Sequence, residues 1–210
     1  MIKISNILDC ECHLAQVDGV IFDLDDTLYP EKGYVRSGFC AVAQAFPQVE
    51  GMEQKLWEAF QNGLPAIDTV LAAEGLASSD NKALALQVYR NHMPAIQVYP
   101  GVMAMLQRLQ KSKKIGLITD GRPEGQRAKL QTLGLIGFFD KLIITDELGG
   151  VSYRKPNETA FRMMQQALDI PFEKMVYIGD NTKKDFIAPQ ALGMQCIWFS
   201  NPDGLYFTKG

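Results

Sequence analysis

Short apolar runs alternate with helical patterns along most of this chain, and this alternation restricts the fold more than any other feature. Most of the runs are rich in Ile and Val, which is typical of parallel strands that are covered on both faces. Strands are predicted at residues 17–23, 115–119, 141–145, 175–179 and 195–199. Helices are predicted at residues 101–110, 124–133, 157–168 and 185–192. The repeated strand–helix–strand order predicts an α/β fold with a doubly wound parallel sheet.

Residues 29–98 interrupt this alternation with helical patterns alone. Glycines and prolines separate four predicted helices, at residues 35–46, 52–61, 67–73 and 84–92. We expect the insert to be a helical cap over the site, because both of its ends must return to the core. The alternative is a helical extension that covers nothing. The α/β core would comprise residues 17–28 and 99–210.

Residues 1–16 form an N-terminal extension before the first predicted strand and carry no obvious chemistry. They leave open an extra helix or strand, a contact in a homodimer, or a joint to a partner domain. These alternatives imply different oligomeric states, and the sequence does not choose between them.

Composition excludes several classes of partner. The net charge is −3, and the longest basic block is residues 111–114, so nucleic acid is not an expected partner. No apolar stretch approaches the roughly 20 residues that a membrane span needs, and the N-terminus lacks the pattern of a secretory leader. We therefore expect a cytoplasmic protein with no membrane partner. The four cysteines show no paired framework and are predicted to be free thiols.

Two carboxylates, Asp23 and Asp25, stand at the end of the first apolar run. Their spacing lets both side chains face the same side of an extended chain. Burying two acids together is unfavourable unless one of them holds a proton or a cation lies between them. The pattern therefore favours a Mg²⁺ site with a carboxylate nucleophile over a solvated turn.

The ends of the later strands carry further groups that suit phosphoryl transfer. Ligands of open α/β sheets bind beyond the carboxyl ends of the strands, so these groups should converge. They are Thr119, Asp120, Gly121, Lys155, Asp180, Asn181 and Asp185. Catalysis of phosphoryl transfer depends mainly on positioning and on electrostatic stabilisation of the phosphate oxygens.

The first group of roles concerns bond making and the metal. The Asp23 carboxylate can attack phosphorus, and Mg²⁺ held by Asp23 and Asp180 would offset the repulsion between the two anions. Asp25 can protonate the leaving oxygen and then accept a proton from the attacking water. Asp185 can hold a metal-bound water or orient the lysine, and Asn181 can contact that water or Asp23, or cap its loop.

The second group of roles concerns the phosphate. The Thr119 hydroxyl can donate to a phosphate oxygen, and the amides of Asp120 and Gly121 can extend the cradle. Lys155 supplies a compact positive charge at a helix entrance. Lys183 and Lys184 are predicted to form a solvated helix face.

Four segments resemble, in order, the motifs of the haloacid dehalogenase superfamily, in its phosphatase branch with an α-helical cap. The segments are DLDDTL at residues 23–28, LITDG at 117–121, RKP at 154–156 and GDNTKKD at 179–185. The resemblance covers residues 17–199 and implies a Rossmann-like core with an all-helical cap after the first motif. It implies that Asp23 is the nucleophile and a Mg²⁺ ligand, and that Asp25 is the general acid/base and binds the metal through its backbone carbonyl. By the same resemblance Thr119 and Lys155 bind phosphate and Asp180 is a metal ligand.

The expected function is a Mg²⁺-dependent phosphatase that hydrolyses a small phosphorylated metabolite, a sugar phosphate or a nucleotide-like compound, through an aspartyl-phosphate. A phosphosugar mutase with the same machinery is the first alternative, and a non-catalytic binding module of the same fold is the second. A dehalogenase is disfavoured because Asp25 would have no oxyanionic leaving group to protonate. The sequence leaves open which substrate is used and which cap residues select it.

Overall fold

The computed structural model describes residues 1–205, and a six-stranded parallel sheet forms the centre of the α/β part. The strands are β1 (Ile2–Ile4), β2 (Gly19–Phe22), β3 (Lys114–Thr119), β4 (Lys141–Ile144), β5 (Met175–Gly179) and β6 (Gln195–Phe199). Their order across the sheet is β1-β6-β5-β2-β3-β4, and every neighbouring pair is parallel. The predicted α/β fold class is therefore confirmed.

Eight α-helices accompany these strands within the described residues. They are α1 (Glu31–Ala45), α2 (Met52–Gln61), α3 (Ala66–Ala73), α4 (Ser79–Asn91), α5 (Val102–Leu109), α6 (Pro123–Thr132), α7 (Thr159–Leu168) and α8 (Ile187–Ala191). Short 3₁₀ helices lie at Ile7–His13, Ile136–Phe138, Thr145–Leu148, Val151–Tyr153 and Phe172–Lys174. None of the helices within residues 1–205 combines the length and the apolar character that crossing a membrane requires.

The chain changes direction across the sheet at β2. From this strand it continues through β3 and β4 on one side, and it then crosses to β5 and β6 on the other. Phe22, the last residue of β2, pairs with Leu117 of β3 and with Ile178 of β5. The loop after β2 therefore lies at a topological switch point, where open α/β sheets bind their ligands.

The N-terminal extension provides the edge strand of the sheet. Ile2 pairs with Ile197 and Ile4 pairs with Phe199, both in parallel register. Of the alternatives open for residues 1–16, the structure thus shows an extra strand, followed by a 3₁₀ helix. A strand of three residues gives too short a pattern to be recognised by periodicity. A dimer contact or a partner domain at this segment stays a prediction.

Most element boundaries lie within a few residues of the predicted ones, and the differences have local causes. Helix α4 begins five residues before the prediction, because the Ser78 hydroxyl accepts a hydrogen bond from Asn81 N at 3.2 Å and caps the helix. Helix α8 begins two residues after the prediction, because Asp185 uses its carboxylate to accept a hydrogen bond from Asn181 N at 2.9 Å.

The chain separates into two compact units. One unit comprises Met1–Glu31 and the chain from Gln97 onward, and the other is Lys32–Ile96. In the second unit Tyr34, Phe39, Tyr89 and His92 form an aromatic cluster with ring centroids 4.9–6.0 Å apart. That this helical insert acts as a cap stays a prediction. Residues 206–210, the end of the predicted core range, lie outside the described residues.

Helix α7 packs on one face of the sheet and completes its core. Phe161 and Met164 are buried there beside Ile21, Ile118 and Tyr177. The Phe161 and Tyr177 rings meet edge to face at 5.1 Å. This packing holds the strand ends that carry the polar groups in a rigid arrangement.

Helix α7 and the sheet are packed so closely at Gly116 of β3 that there is no space for a side chain. A Cβ atom at Gly116 would lie 2.5 Å from Met164 Sδ and 2.8 Å from Ile21 Cδ1. We expect Gly116→Ala to lower the free energy of unfolding by about 1–3 kcal/mol, because the core must move to admit the methyl group. Urea denaturation measures this change. Gly137→Ala is the matched control, because a Cβ there would meet nothing within 4 Å, and an equal loss in both variants would contradict the packing argument.

Candidate active site

Lys155 lies at the centre of the polar groups beyond the carboxyl ends of the strands. Its side chain has no solvent exposure, and Nζ lies 2.6 Å from Asp23 Oδ1 and 2.9 Å from Asp185 Oδ1. Nζ also contacts the Tyr177 hydroxyl at 2.8 Å. Desolvation would lower the pKa of the lysine, but the two carboxylates outweigh it and raise the pKa well above its usual value. The lysine is therefore positively charged and connects the loops that follow β2 and β5.

Asp23 continues the sheet by one residue beyond β2. Its backbone N–H donates to Ile178 O at 2.9 Å, and the residue is 3% exposed. Burial raises the pKa of Asp23 to about 7, although Lys155 opposes the shift and Asp185 adds to it. A buried carboxylate in this position is held firmly at the switch point, with one oxygen bound to the lysine.

Three carboxylates, those of Asp23, Asp180 and Asp185, form a compact acidic cluster. One oxygen of each lies within 4.8 Å of the others. Burial, followed by the charges of Asp23 and Asp185, raises the pKa of Asp180 to about 9. Asp185 Oδ1 is buried against Lys155 Nζ at 2.9 Å, so the lysine provides the only positive charge that the structure shows beside this oxygen within residues 1–205. With all three carboxylates ionised, the charge of Lys155 would leave a net −2, and hard oxygen donors with this charge fit a divalent cation such as Mg²⁺.

Asp25 lies in a separate group of hydrogen-bond donors. Its Oδ1 accepts from Lys129 Nζ at 2.6 Å and from the Tyr29 hydroxyl, and its Oδ2 accepts from Gln126 Nε2 at 2.9 Å. Burial alone would raise the pKa of Asp25, but the charge and hydrogen bond of Lys129 outweigh burial and lower it. The carboxylate is thus ionised before any substrate binds.

The predicted phosphate-binding residues occupy different positions around this centre. Thr119 is fully buried at the end of β3, and its hydroxyl accepts a hydrogen bond from Gln126 Nε2. The Asp120 carboxylate accepts from Thr145 Oγ1 at 2.9 Å, from Lys155 N at 3.1 Å and from Lys184 Nζ at 2.9 Å. The Asp120 side chain therefore joins neighbouring loops rather than pointing free for a ligand.

Gly121 and Asn181, two other predicted site residues, make hydrogen bonds to neighbouring segments of the chain. The hydrogen bond from Arg154 is the main cause that lowers the pKa of Asp146, and a hydrogen bond from the Gly121 backbone contributes to the shift. The Gly121 amide therefore lies against the Asp146 carboxylate. Asn181 is buried, and its Oδ1 accepts from Lys183 N at 3.0 Å. Of the roles considered for Asn181, this contact matches a cap of its own loop.

The prediction of a solvated face for Lys183 and Lys184 is wrong for Lys184. Its Nζ pairs with Asp120 Oδ2, and its side chain is 33% exposed. The carboxylates of Asp23, Asp120 and Asp185 raise its pKa against desolvation and the charge of Lys155. The turn after β5 brings this lysine toward the loop after β3, a contact between distant segments that helical periodicity does not encode.

Further residues of the site were not predicted from the sequence. They are Tyr29, Gln126, Lys129 and Tyr177. Gln126 and Lys129 stand three residues apart on α6, so they share one face of the helix that follows Thr119. That spacing was the available signal. A polar residue in an apolar strand was the corresponding signal for Tyr177.

The fold and the site define an α/β enzyme whose carboxylate and lysine side chains meet at the switch point of a parallel sheet. The family profile of the haloacid dehalogenase-like hydrolases matches residues 20–199. The chain therefore belongs to the haloacid dehalogenase-like hydrolase family. The resemblance inferred from the four motifs and the predicted hydrolase class are both confirmed.

Individual relatives are similar to this chain over most of its length. The pyrimidine 5'-nucleotidase YjjG of Escherichia coli is 26% identical over 208 residues, which cover 90% of this chain and 90% of the relative. A glyceraldehyde 3-phosphate phosphatase of Methanopyrus kandleri is 29% identical over 197 residues, with 86% and 83% covered. The crystal structure of the HAD-hydrolase YfnB of Bacillus subtilis with bound magnesium has a TM-score of 0.63 at 22% identity, with 87% and 86% covered. At this identity the structural similarity supports the fold.

The acidic cluster predicts an unusual dependence of stability on pH and on Mg²⁺. Asp23 and Asp180 have pKa values of about 7 and about 9 in the folded chain, against 3.8 as the reference. The folded state therefore binds more protons than the unfolded state between these limits, so the stabilisation present below pH 4 is lost as the pH rises through 7 to 9. Without metal, we expect the melting temperature to fall from pH 5.5 to pH 8.5. Mg²⁺ should raise it more at pH 8.5, as differential scanning fluorimetry with EDTA or Mg²⁺ measures.

Asp180→Asn separates this effect from the other titrating groups. Without metal at pH 8.5, the variant should melt above the wild type, by about 2–4 °C for each kcal/mol of relieved repulsion. With excess Mg²⁺ the order should reverse, because the amide has lost a charged ligand. The same order of melting temperatures in both conditions would contradict a cation site at this cluster.

Proposed function

We propose that this protein is a Mg²⁺-dependent phosphatase that hydrolyses a small phosphorylated metabolite through an aspartyl-phosphate on Asp23. The observation that carries the proposal is the contact of Asp23 with the buried Lys155 at 2.6 Å, inside a cluster that also contains Asp180 and Asp185. A nucleophilic carboxylate, a fixed cation and a set of hard oxygen ligands are the groups that phosphoryl transfer needs. The family supports the same class of reaction.

In the first step, an oxygen of Asp23 attacks phosphorus, and the bond between phosphorus and the ester oxygen breaks. Lys155 holds Asp23 Oδ1, which fixes the direction of the carboxylate. Mg²⁺, when bound by Asp23 and Asp180, would reduce the repulsion between the carboxylate and the phosphate. Thr119 and Lys155 are proposed to bind the phosphate oxygens, with the Asp120 and Gly121 backbone nearby.

Asp25 is proposed to transfer the protons. It gives a proton to the leaving oxygen in the first step and takes one from the water that attacks the aspartyl-phosphate in the second, which releases phosphate and restores Asp23. Its pKa is lowered in the structure, mainly because Lys129 outweighs burial. A phosphate dianion bound beside it would raise this pKa again, since a like charge disfavours the ionised form.

The relatives suggest two substrate classes for a first test. One relative is a pyrimidine 5'-nucleotidase and another is a glyceraldehyde 3-phosphate phosphatase. Both names describe hydrolysis, which supports a phosphatase over a phosphosugar mutase. We therefore propose a nucleoside monophosphate or a small sugar phosphate as substrate. The helical insert is proposed to act as the cap that selects it.

Asp23→Asn is the decisive variant for this proposal. Phosphate release from pyrimidine nucleoside monophosphates, glyceraldehyde 3-phosphate and sugar 1-phosphates is measured with Mg²⁺ and with EDTA. We expect release only with Mg²⁺, and a fall of at least about 10³-fold in the variant, because the amide cannot form the covalent intermediate. Asp169→Asn is the matched control: it changes the same functional group at an exposed position with φ 54°, which asparagine adopts readily.

The products distinguish the remaining alternatives. An isomerised sugar phosphate without free phosphate would identify a mutase. Folded, Mg²⁺-binding protein that transforms no compound of the panel would contradict the proposed activity and favour a binding module. Release that persists in Asp23→Asn would show that another group attacks phosphorus.

A further inference from the structure

Lys129 is a lysine in an unusual position. Only 5% of the residue is exposed, although it lies on α6, a helix with several solvated residues. Lysine is almost never buried to this degree unless it is paired. Its Nζ lies 2.6 Å from Asp25 Oδ1, and the Asp25 side chain is 20% exposed. This lysine therefore meets the proposed proton-transfer residue from inside the protein.

Both carboxylate oxygens of Asp25 accept hydrogen bonds from neighbouring side chains. Lys129 and the Tyr29 hydroxyl donate to Oδ1, and Gln126 donates to Oδ2. The Gln126 amide nitrogen also donates to Thr119 Oγ1. One amide nitrogen thus holds the acid/base carboxylate beside the hydroxyl proposed to bind phosphate. Three donors that reach two oxygens leave the carboxylate little freedom to rotate.

Stability is a poor explanation for this arrangement. The desolvation penalty of a buried ion pair can equal or exceed the attraction between its charges. On the same helix, Arg127 makes an ordinary surface pair with Glu147 at 2.5 Å, with 62% of the arginine side chain exposed. Helix α6 therefore carries two cations of different kinds, and the buried one is directed at Asp25.

We propose that Lys129 is a positioning residue, which holds Asp25 in the orientation for proton transfer to the leaving oxygen, with Tyr29 and Gln126 as its partners in this task. The proposal rests on the function proposed above. It adds a part of the site that the four motifs do not contain. Lys129 acts through Asp25 and does not itself contact the reacting atoms.

This role predicts a dependence on the leaving group. An alcohol is a poor leaving group and needs the proton from Asp25, whereas p-nitrophenolate leaves with little help. The test measures kcat/KM for p-nitrophenyl phosphate, phenyl phosphate and glycerol 3-phosphate, because this constant reports the steps up to the release of the leaving group. Lys129→Met keeps a long unbranched side chain and removes the charge.

We expect Lys129→Met to lower kcat/KM for glycerol 3-phosphate by about 10²-fold or more and for p-nitrophenyl phosphate by less than about 10-fold. A burst of p-nitrophenol should appear, since hydrolysis of the aspartyl-phosphate also needs Asp25. Lys129→Arg should recover part of the loss. Arg127→Met is the matched control, because it removes a positive charge from the surface of the same helix. It should not alter kcat/KM for one substrate more than for another.

Tyr29→Phe keeps the test decisive if Lys129→Met does not fold. It removes one hydroxyl donor from Asp25. The losses of kcat/KM should rank the three substrates in the same order as in Lys129→Met, but each loss should be smaller. An equal loss for all three substrates in the folded variants would overturn the positioning role, even with a fully active wild type. A wild type that hydrolyses none of the three compounds or the earlier panel would overturn the proposed function, and this proposal with it.

Discussion

The buried ammonium of Lys155 is the interaction on which the rest of the site depends. An unpaired charge in the interior is strongly unfavourable, so the lysine requires Asp23 and Asp185 beside it. These partners come from the loops after β2 and β5, and the lysine itself precedes α7. One charge therefore fixes the relative positions of three segments that are far apart in sequence. The rigid packing of α7 on the sheet makes the arrangement reproducible.

The charged residues around this lysine form two ion pairs and one cluster in which carboxylates outnumber cations. The pair of Asp120 with Lys184 joins the loops after β3 and β5, and the pair of Asp25 with Lys129 joins the loop after β2 to α6. The excess lies at Asp23, Asp180 and Asp185, which explains why burial and mutual repulsion raise the pKa of Asp180. Mutual repulsion among these carboxylates is unfavourable when they are ionised, and a bound cation would reduce it. The carboxylates whose pKa values are raised by burial are therefore the same ones whose oxygens lie close enough together to hold a metal ion.

The proposed chemical roles are distributed unequally between the two compact units. The α/β unit contains every residue for which a chemical role is proposed, and its family is established. The helical unit has its own aromatic cluster and no residue with an assigned role. The proposed chemistry thus rests on residues of the α/β unit, and the fold alone does not identify the substrate.

Periodicity in the sequence determined the parallel sheet, because the apolar runs and helical patterns are local signals. It also determined that Asp23, Thr119, Lys155, Asp180 and Asp185 belong to one edge, since parallel strands end on the same side. Tertiary structure alone decided which polar atoms meet. Lys129, Gln126 and Tyr177 join the site, and the three residues of β1 join the sheet, through contacts between distant segments. Such contacts depend on how helices pack on the sheet. The spacing of Gln126 and Lys129 shows that they share one helix face, but it does not show that this face meets Asp25.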